Sequence, residues 1–127
     1  MIVTLTAALL AASSSVAGMQ WERRVLLVAA PSADDPRLAT QRRLLAAWRM
    51  EADRRDLSVV EVIGDRVIGA TDAATGLRRM YRLPADGFAV VLIGKDGGMK
   101  RRATDPLAVA DLAQTIDSMP MRRAGGR

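Results

Sequence analysis

The stretch "VLLVAAPSADDPRL", Val25–Leu38, decides how this chain is built. Its first six residues are all apolar and are closed by Pro31, the pattern of a short strand buried on both faces. Asp35-Pro36 then supplies a helix N-cap followed by proline at the first helical position, where no N–H donor is needed. The stretch therefore predicts strand, tight loop and helix. In α/β proteins such a junction carries ligands and reactive groups. Here it offers Ser32, Asp34, Asp35 and Arg37, with no Cys, no His and no glycine-rich cradle.

Beyond the junction, Leu38, Gln41, Leu45, Trp48 and Ala52 recur at helical spacing, with Leu44 beside them. Arg42, Arg43, Arg49, Glu51, Asp53 and Arg54 take the opposite face, so one long amphipathic helix is expected to about Arg55-Asp56. Leu57 to Asp65 reads as a second strand, and "RVIGA" after the Gly64-Asp65 turn as a short edge strand. Thr71 or Asp72 can cap a second helix within "DAATGLRRMYRL", which Gly76 weakens. Pro84 to Gly87 is a turn. Phe88 to Gly94 is a third buried strand, and "KDGG" turns it into "MKRRA", a hairpin. Asp105-Pro106 repeats the cap-and-proline device before a last helix. Its apolar stripe is Val109, Leu112 and Ile116, with Ala113 and Met119 beside it, and Pro120 stops it. Helical crossovers make the first strands parallel, and the final pair is antiparallel.

Length and composition fit one small domain. The chain has 127 residues, is 50% hydrophobic and only 3% aromatic, so its core is built from Leu, Val, Ile, Ala and Met. Met99, Met119 and Met121 are expected to fill gaps in that core. The net charge of +5 comes from 19 basic against 14 acidic residues, and the basic ones are spread along the chain. That reads as a solvated, arginine-rich surface, and the shortage of aromatic stacking platforms disfavours nucleic acid as a partner. Without Cys or His there is no thiol chemistry, no disulfide, no zinc site of the usual kind and no Ser-His-Asp triad.

The N-terminal stretch "MIVTLTAALLAASSSVAG" suggests a compartment. The apolar run from Met1 to Ala12 is shorter than the roughly 20 residues of a membrane span and has the length of a signal-peptide core. Ser15-Val16-Ala17 is a small-x-small site of the kind signal peptidase accepts, although no Lys or Arg precedes the run. Residues 1–18 are therefore expected to be a cleaved signal peptide, with the cut after Ala17 or one to two residues later. The alternative is an N-terminal helix packed on the domain. Residues 20–120 would form the domain and 121–127 a basic flexible tail. The mature chain would be periplasmic or secreted, with no transmembrane segment left.

The order of elements, and the closing stretch "GFAVVLIGKDGGMKRRATDPLAVADLAQTID", resemble the thioredoxins and peroxiredoxins. More narrowly, Arg23–Leu45, Leu83–Lys100 and "IDSMPMR" at Ile116–Arg122 resemble small exported bacterial proteins of unknown function, related to a domain of the animal extracellular DUDES proteins. The resemblance implies an α/β, thioredoxin-like three-layer sandwich. Its mixed sheet of four to five strands, parallel strands plus a C-terminal antiparallel hairpin, would be flanked by helices. In a redox-active thioredoxin, Cys-x-x-Cys sits at the start of the first helix. Asp34, Asp35, Pro36 and Arg37 occupy those positions here, so the resemblance implies a scaffold without thiol chemistry.

Candidate sites follow from what remains. Asp34 and Asp35 can cap and complement the helix N-terminus, or act as paired carboxylates on a cation or a proton. Ser32 has no base beside it. Lys95, Asp96 and the two glycines after them can form a hairpin turn or an anion-binding nest supported by Lys100 and Arg101. The reading adopted is a non-redox, exported binding or scaffold domain without cofactor or metal, contacting an unknown protein or a small anionic ligand. Its candidate surface comprises Ser32, Asp34, Asp35, Arg37, Pro84, Gly87, Lys95, Asp96, Lys100 and Arg101. The alternative is an enzyme using Asp34, Asp35 and Arg37 on a small anionic substrate.

Overall fold

The structure, a computed structural model, describes residues 14–123. The apolar run expected as a signal-peptide core lies outside the described residues, as does the end of the basic tail. The elements are β1 (Arg24–Ala30), α1 (Pro36–Ala47), α2 (Arg49–Arg54), β2 (Leu57–Ile63), β3 (Arg66–Ile68), α3 (Ala74–Tyr81), β4 (Ala89–Ile93), β5 (Met99–Ala103), α4 (Val109–Asp117) and the single turn α5 (Pro120–Arg123). A 3₁₀ turn, Ala17–Met19, precedes them.

The strands form one mixed sheet in the order β3-β2-β1-β4-β5, with β1 at its centre and every β1 residue buried. Period-2 alternation sends β1 side chains to two separate cores. Leu26, Val28 and Ala30 meet Leu38 of α1, Ala52 of α2 and Leu112 and Ile116 of α4. Val25, Leu27 and Ala29 meet Leu77 and Tyr81 of α3. Helices thus cover both faces, giving three layers.

Several expectations are corrected. β1 and β2 are parallel as predicted, but β4 runs antiparallel to β1. The reason is β3. It folds back antiparallel on β2, so α3 departs from a strand already reversed, and the crossover delivers β4 parallel to β3. Gly69 lets the chain leave β3: its φ is +99°, and a Cβ there would stand 2.7 Å from the Val59 carbonyl oxygen. The single long helix is two, broken at Trp48, which takes φ −110° and ψ 14°. Trp48 packs against the core and under the Arg55 guanidinium, 5.2 Å from the ring centroid, and that placement turns the chain.

The third helix begins behind Ala73, not behind a Thr71 or Asp72 cap, because the Asp72 carboxylate accepts from the Val16 N–H instead, at 2.8 Å. The last helix begins at Val109, after Asp105-Pro106. Its start is delayed because both amide groups of Leu107 are held by buried Gln41. The Leu107 N–H donates to Gln41 Oε1 at 2.7 Å, and Gln41 Nε2 donates to the Leu107 carbonyl at 3.1 Å. Pro120 does not end that helix, which stops at Asp117; it opens α5 at the position Pro favours.

Residues around the expected signal-cleavage site pack against the sheet. Val16 and Met19 are buried in the α3-side core, and the Thr71 N–H donates to the Ser14 carbonyl.

Candidate functional site

The ten candidate residues fall at opposite ends of the sheet. At the end where β1 stops and β4 starts lie the Ser32–Arg37 loop and the Pro84–Gly87 turn. Pro36 at N1 and the extended backbone of Asp35 start α1, and Asp35 caps it, accepting from the Arg37 N–H at 2.9 Å. The Arg37 side chain returns onto the same carboxylate with Nε at 3.1 Å and Nη2 at 2.9 Å. Its guanidinium also lies over the Phe88 ring, 5.3 Å from the centroid. These bonds, the side-chain ones first, hold the Asp35 carboxyl below the usual carboxylate range. Asp35 is nearly covered, whereas Asp34 and Ser32 point outward and are exposed. The two carboxylates therefore do not converge. The helix start is a closed cap with Asp35 locked in an ion pair.

At the other end, where β1 starts and β4 stops, is the β4–β5 turn. Its glycine N–H groups are bonded within the turn. The Gly97 N–H donates to the Gly94 carbonyl at 3.0 Å, and the Gly98 N–H to Asp96 Oδ1 at 2.9 Å. Gly97 takes φ +84°, as the turn demands. Lys100 Nζ donates to Asp96 Oδ2 at 2.8 Å, and these bonds lower the Asp96 pKa, Lys100 first. Lys95, expected on an exposed basic hairpin, is buried with its Nζ 2.9 Å from Asp56 Oδ2. Arg101 points away toward α4, 3.7 Å from Asp111. Met99 is exposed rather than a core filler, and Met119 is buried as expected.

Beside this turn lies a cleft of about 290 Å³. Lys95, Asp96 and Lys100 line it, together with Trp21, Arg24 and Met119, which were not among the candidates. Arg24 opens β1 and is completely buried. Its Nε donates to Met119 Sδ at 3.3 Å and its Nη1 to the Arg55 carbonyl at 2.7 Å. Sequence reading missed it because an arginine beside an apolar run reads as the strand's solvated end. Trp21 carried a signal: it is one of two tryptophans, placed among polar residues just before the first strand. Among the described residues no group of three acidic side chains is placed to hold a metal ion. No helix among them is long and apolar enough to cross a membrane.

Three comparisons place this arrangement among known proteins. The model of a family described as a domain of unknown function, DUF4174, matches residues 15–125. The human sushi repeat-containing protein SRPX is 31% identical over 111 residues, covering 80% of this chain and 24% of its own length. The zebrafish coiled-coil domain-containing protein 80 is 24% identical over 126 residues, covering 82% of this chain and 14% of its own length. The chain thus spans at most about a quarter of these relatives. Among solved structures, the mitochondrial 2-Cys peroxiredoxin of Plasmodium falciparum superposes with a TM-score of 0.52 at 11% identity, covering 86% of this chain and 82% of that one. At that identity the match speaks for the fold, which is thioredoxin-like.

Proposed function

The chain belongs to the DUF4174 family, and we propose that it is a non-redox, exported binding domain, a thioredoxin-like scaffold whose function is contact rather than catalysis. The observation that carries this reading is the state of the α1 N-terminus. At the helix start, between the Asp34 and Arg37 positions that the resemblance aligns with the two cysteines, Asp35 is folded onto its own cap and bonded twice by Arg37. A carboxylate held ionised by that pairing is a poor proton acceptor or donor near neutral pH. Asp34 beside it is exposed. This arrangement also weighs against the alternative of an enzyme acting through Asp34, Asp35 and Arg37.

Export is supported by the apolar N-terminal run and the small residues behind it. The buried places of Val16 and Met19 move the favoured cleavage point upstream of Ser14, so that the mature chain keeps the turn that closes the α3-side core. The ligand or partner meets the cleft end of the sheet, where apolar and cationic groups share one concavity.

The test is to express the native reading frame and separate envelope, medium and cytoplasm, then assay the recovered chain for peroxide reduction, disulfide exchange and hydrolysis of small anionic esters. The reading predicts a shortened chain outside the cytoplasm and no turnover above buffer. Turnover that disappears in Asp35→Ala would establish the enzyme instead, and an unprocessed cytoplasmic chain would remove the export part.

A further inference from the structure

We propose that β5 is a docking edge, where an extended segment of a partner protein adds to the five-stranded sheet as a further strand. That segment carries an apolar residue and, two positions along, an acidic residue, both facing the groove between β5 and α3. This names the kind of partner for the binding-domain reading and rests on it.

The main chain supplies the first argument. β5 is the last strand of the sheet and pairs with β4 alone. Among the described residues, no hydrogen bond from outside the sheet reaches the row of N–H and C=O groups on its outer side. Such a row is a template for another extended chain. β5 offers five residues for pairing, against three in β3 at the other edge. A second copy of this chain does not suit it. β5 laid against β5 would oppose Lys100, Arg101 and Arg102 to the same three residues, and like charges facing each other across strands repel.

The second argument is the face that an added strand would cover. Arg102 pairs with Val91 and Met99 with Ile93, and both of those β4 residues lie in the α3-side core. Met99 and Arg102 therefore stand on the α3 side of β5. Between them and the end of α3 is a groove of about 480 Å³, lined by Met80, Arg82, Met99 and Arg102. It opens beside the β4–β5 turn, at the same end of the sheet as the cleft: Met80 also borders Gly94 and Gly97, and Gly94 lines the cleft. Met80 is 67% exposed and Met99 46%, so two flexible apolar side chains stand in water along one groove. Thioether side chains of this kind adapt to the shape of an incoming apolar residue.

The third argument is charge. Lys100 and Arg101, the other basic residues of β5, are already paired with Asp96 and Asp111 and add nothing to it. Arg82 and Arg102 differ: both are exposed, and among the described residues neither is in an ion pair. Arg102 donates from Nη1 to the Tyr81 carbonyl at 2.7 Å and from Nη2 to the Arg82 carbonyl at 2.6 Å. Those bonds fix the guanidinium against the end of α3, bring it no negative charge and leave it further N–H donors. Residues two apart on a strand share a face. A partner with its apolar residue against Met80 and Met99 thus presents the residue two along to Arg82 and Arg102, where a carboxylate completes charge-assisted hydrogen bonds. A free anion would use neither the methionines nor the strand edge, and a membrane surface would leave the main-chain row unpaired.

Calorimetric titration of the full chain with the capped peptide acetyl-Thr-Val-Thr-Glu-Thr-Val-Thr-amide tests the proposal. The peptide has the same residue order in either direction of pairing. Its controls are the same peptide with Gln for Glu, two forms N-methylated at alternate residues (one on Val and Glu, the other on Thr), and phosphatidylglycerol vesicles. Arg82→Gln and Met80→Glu change exposed side chains, and a thermal melt at the wild-type midpoint confirms that each is folded. Expected is saturable one-to-one binding, about fivefold weaker for the Gln peptide and in Arg82→Gln, the size of one exposed ion pair, and several-fold weaker in Met80→Glu. Only one N-methylated form should bind, because alternate N–H groups of an added strand face β5. Absence of saturable binding, equal affinity for the Gln peptide, equal affinity of the two N-methylated forms, or undiminished binding in both folded variants would overturn it. Binding to the vesicles alone would overturn it in favour of a membrane surface. Such a failure leaves the non-redox reading intact, because that reading falls only to measured turnover or cytoplasmic retention.

Discussion

Single residues fix the polar contacts that hold this fold together. Asp35 stands between Asp34 and Arg37, the positions where the resemblance to thioredoxins would place the two cysteines, and its carboxylate is used on a helix cap and on Arg37. Asp117 is treated likewise by Arg55 and Arg122, with the Arg55 hydrogen bonds the leading cause of its lowered pKa. Asp35, Asp96 and Asp117 all carry folded-state pKa values below the ordinary 3.8. Their stabilisation is therefore complete above that value and disappears as the pH falls through the depressed folded-state values. We predict that stability measured by urea unfolding declines as the pH is lowered below about 4, and that the decline is shallower in Asp117→Asn. An unchanged acid limb in that variant would show that the Arg55–Asp117 pair does not matter to the fold. Gln41 is the residue with most at stake in the interior. It is fully buried and its amide is matched to both backbone groups of Leu107. Gln41→Leu keeps the volume but strands the Leu107 N–H and carbonyl, which should cost about 1–3 kcal/mol. A variant as stable as wild type in urea would mean that Leu107 finds other partners.

At the scale of elements, local patterns located most strands and helices, and long-range contacts set the rest. The all-apolar "VLLVAA" gave a strand buried on both faces, "MKRRA" is β5 over its full length, and Asp35-Pro36 starts α1 as capping chemistry predicts. What the sequence hid were decisions made by distant partners. Asp105-Pro106 has the same local signature as Asp35-Pro36, yet Gln41, 66 residues from Leu107, holds the chain extended until Val109. The direction of β4 depended on three residues, Arg66–Ile68, pairing back on β2. The cleft was illegible for the same reason: Trp21 with Arg24, Lys95 and Met119 come from three separate parts of the chain. The N-terminal turn belongs to this scale too. Val16 is buried against the α3-side core, and its N–H is bonded to Asp72. A chain beginning at Gly18 should lose roughly 1.5–3 kcal/mol for the Val16 side chain alone, relative to one beginning at Ser14. Equal thermal midpoints for the two would show that the turn is an appendage and would restore Ala17 as a harmless cleavage point.

In the whole molecule the two ends of the sheet are built differently. At the end where β1 stops, α1 begins on Asp35, whose carboxylate is bonded by the Arg37 backbone and side chain. At the other end, β1 starts with a buried arginine, β4 stops at a buried lysine, and the segment ahead of β1 folds over to place Trp21 beside them. Two of the ion pairs that join distant elements, Arg42 to Glu61 at 2.7 Å and Arg55 to Asp117, lie between α1 and β2 and between the end of α2 and α4. They hold the helices that flank the cleft-side core without closing the cleft. The DUF4174 match covers 15–125, a span that includes the N-terminal turn as well as the sheet, so the segment that builds the cleft falls inside the family's own boundaries.

The central proposal is that this chain binds its ligand or partner at the end of the sheet opposite the α1 N-terminus. An amide chemical-shift map of the full chain during titration with the Val-Thr-Glu-Thr-Val peptide tests it most directly. The account predicts shifts concentrated at Met80 to Arg82 and Gly97 to Arg102, saturating together, with Ser32 to Arg37 unmoved. Shifts concentrated at Ser32 to Arg37, or none that saturate, would contradict it.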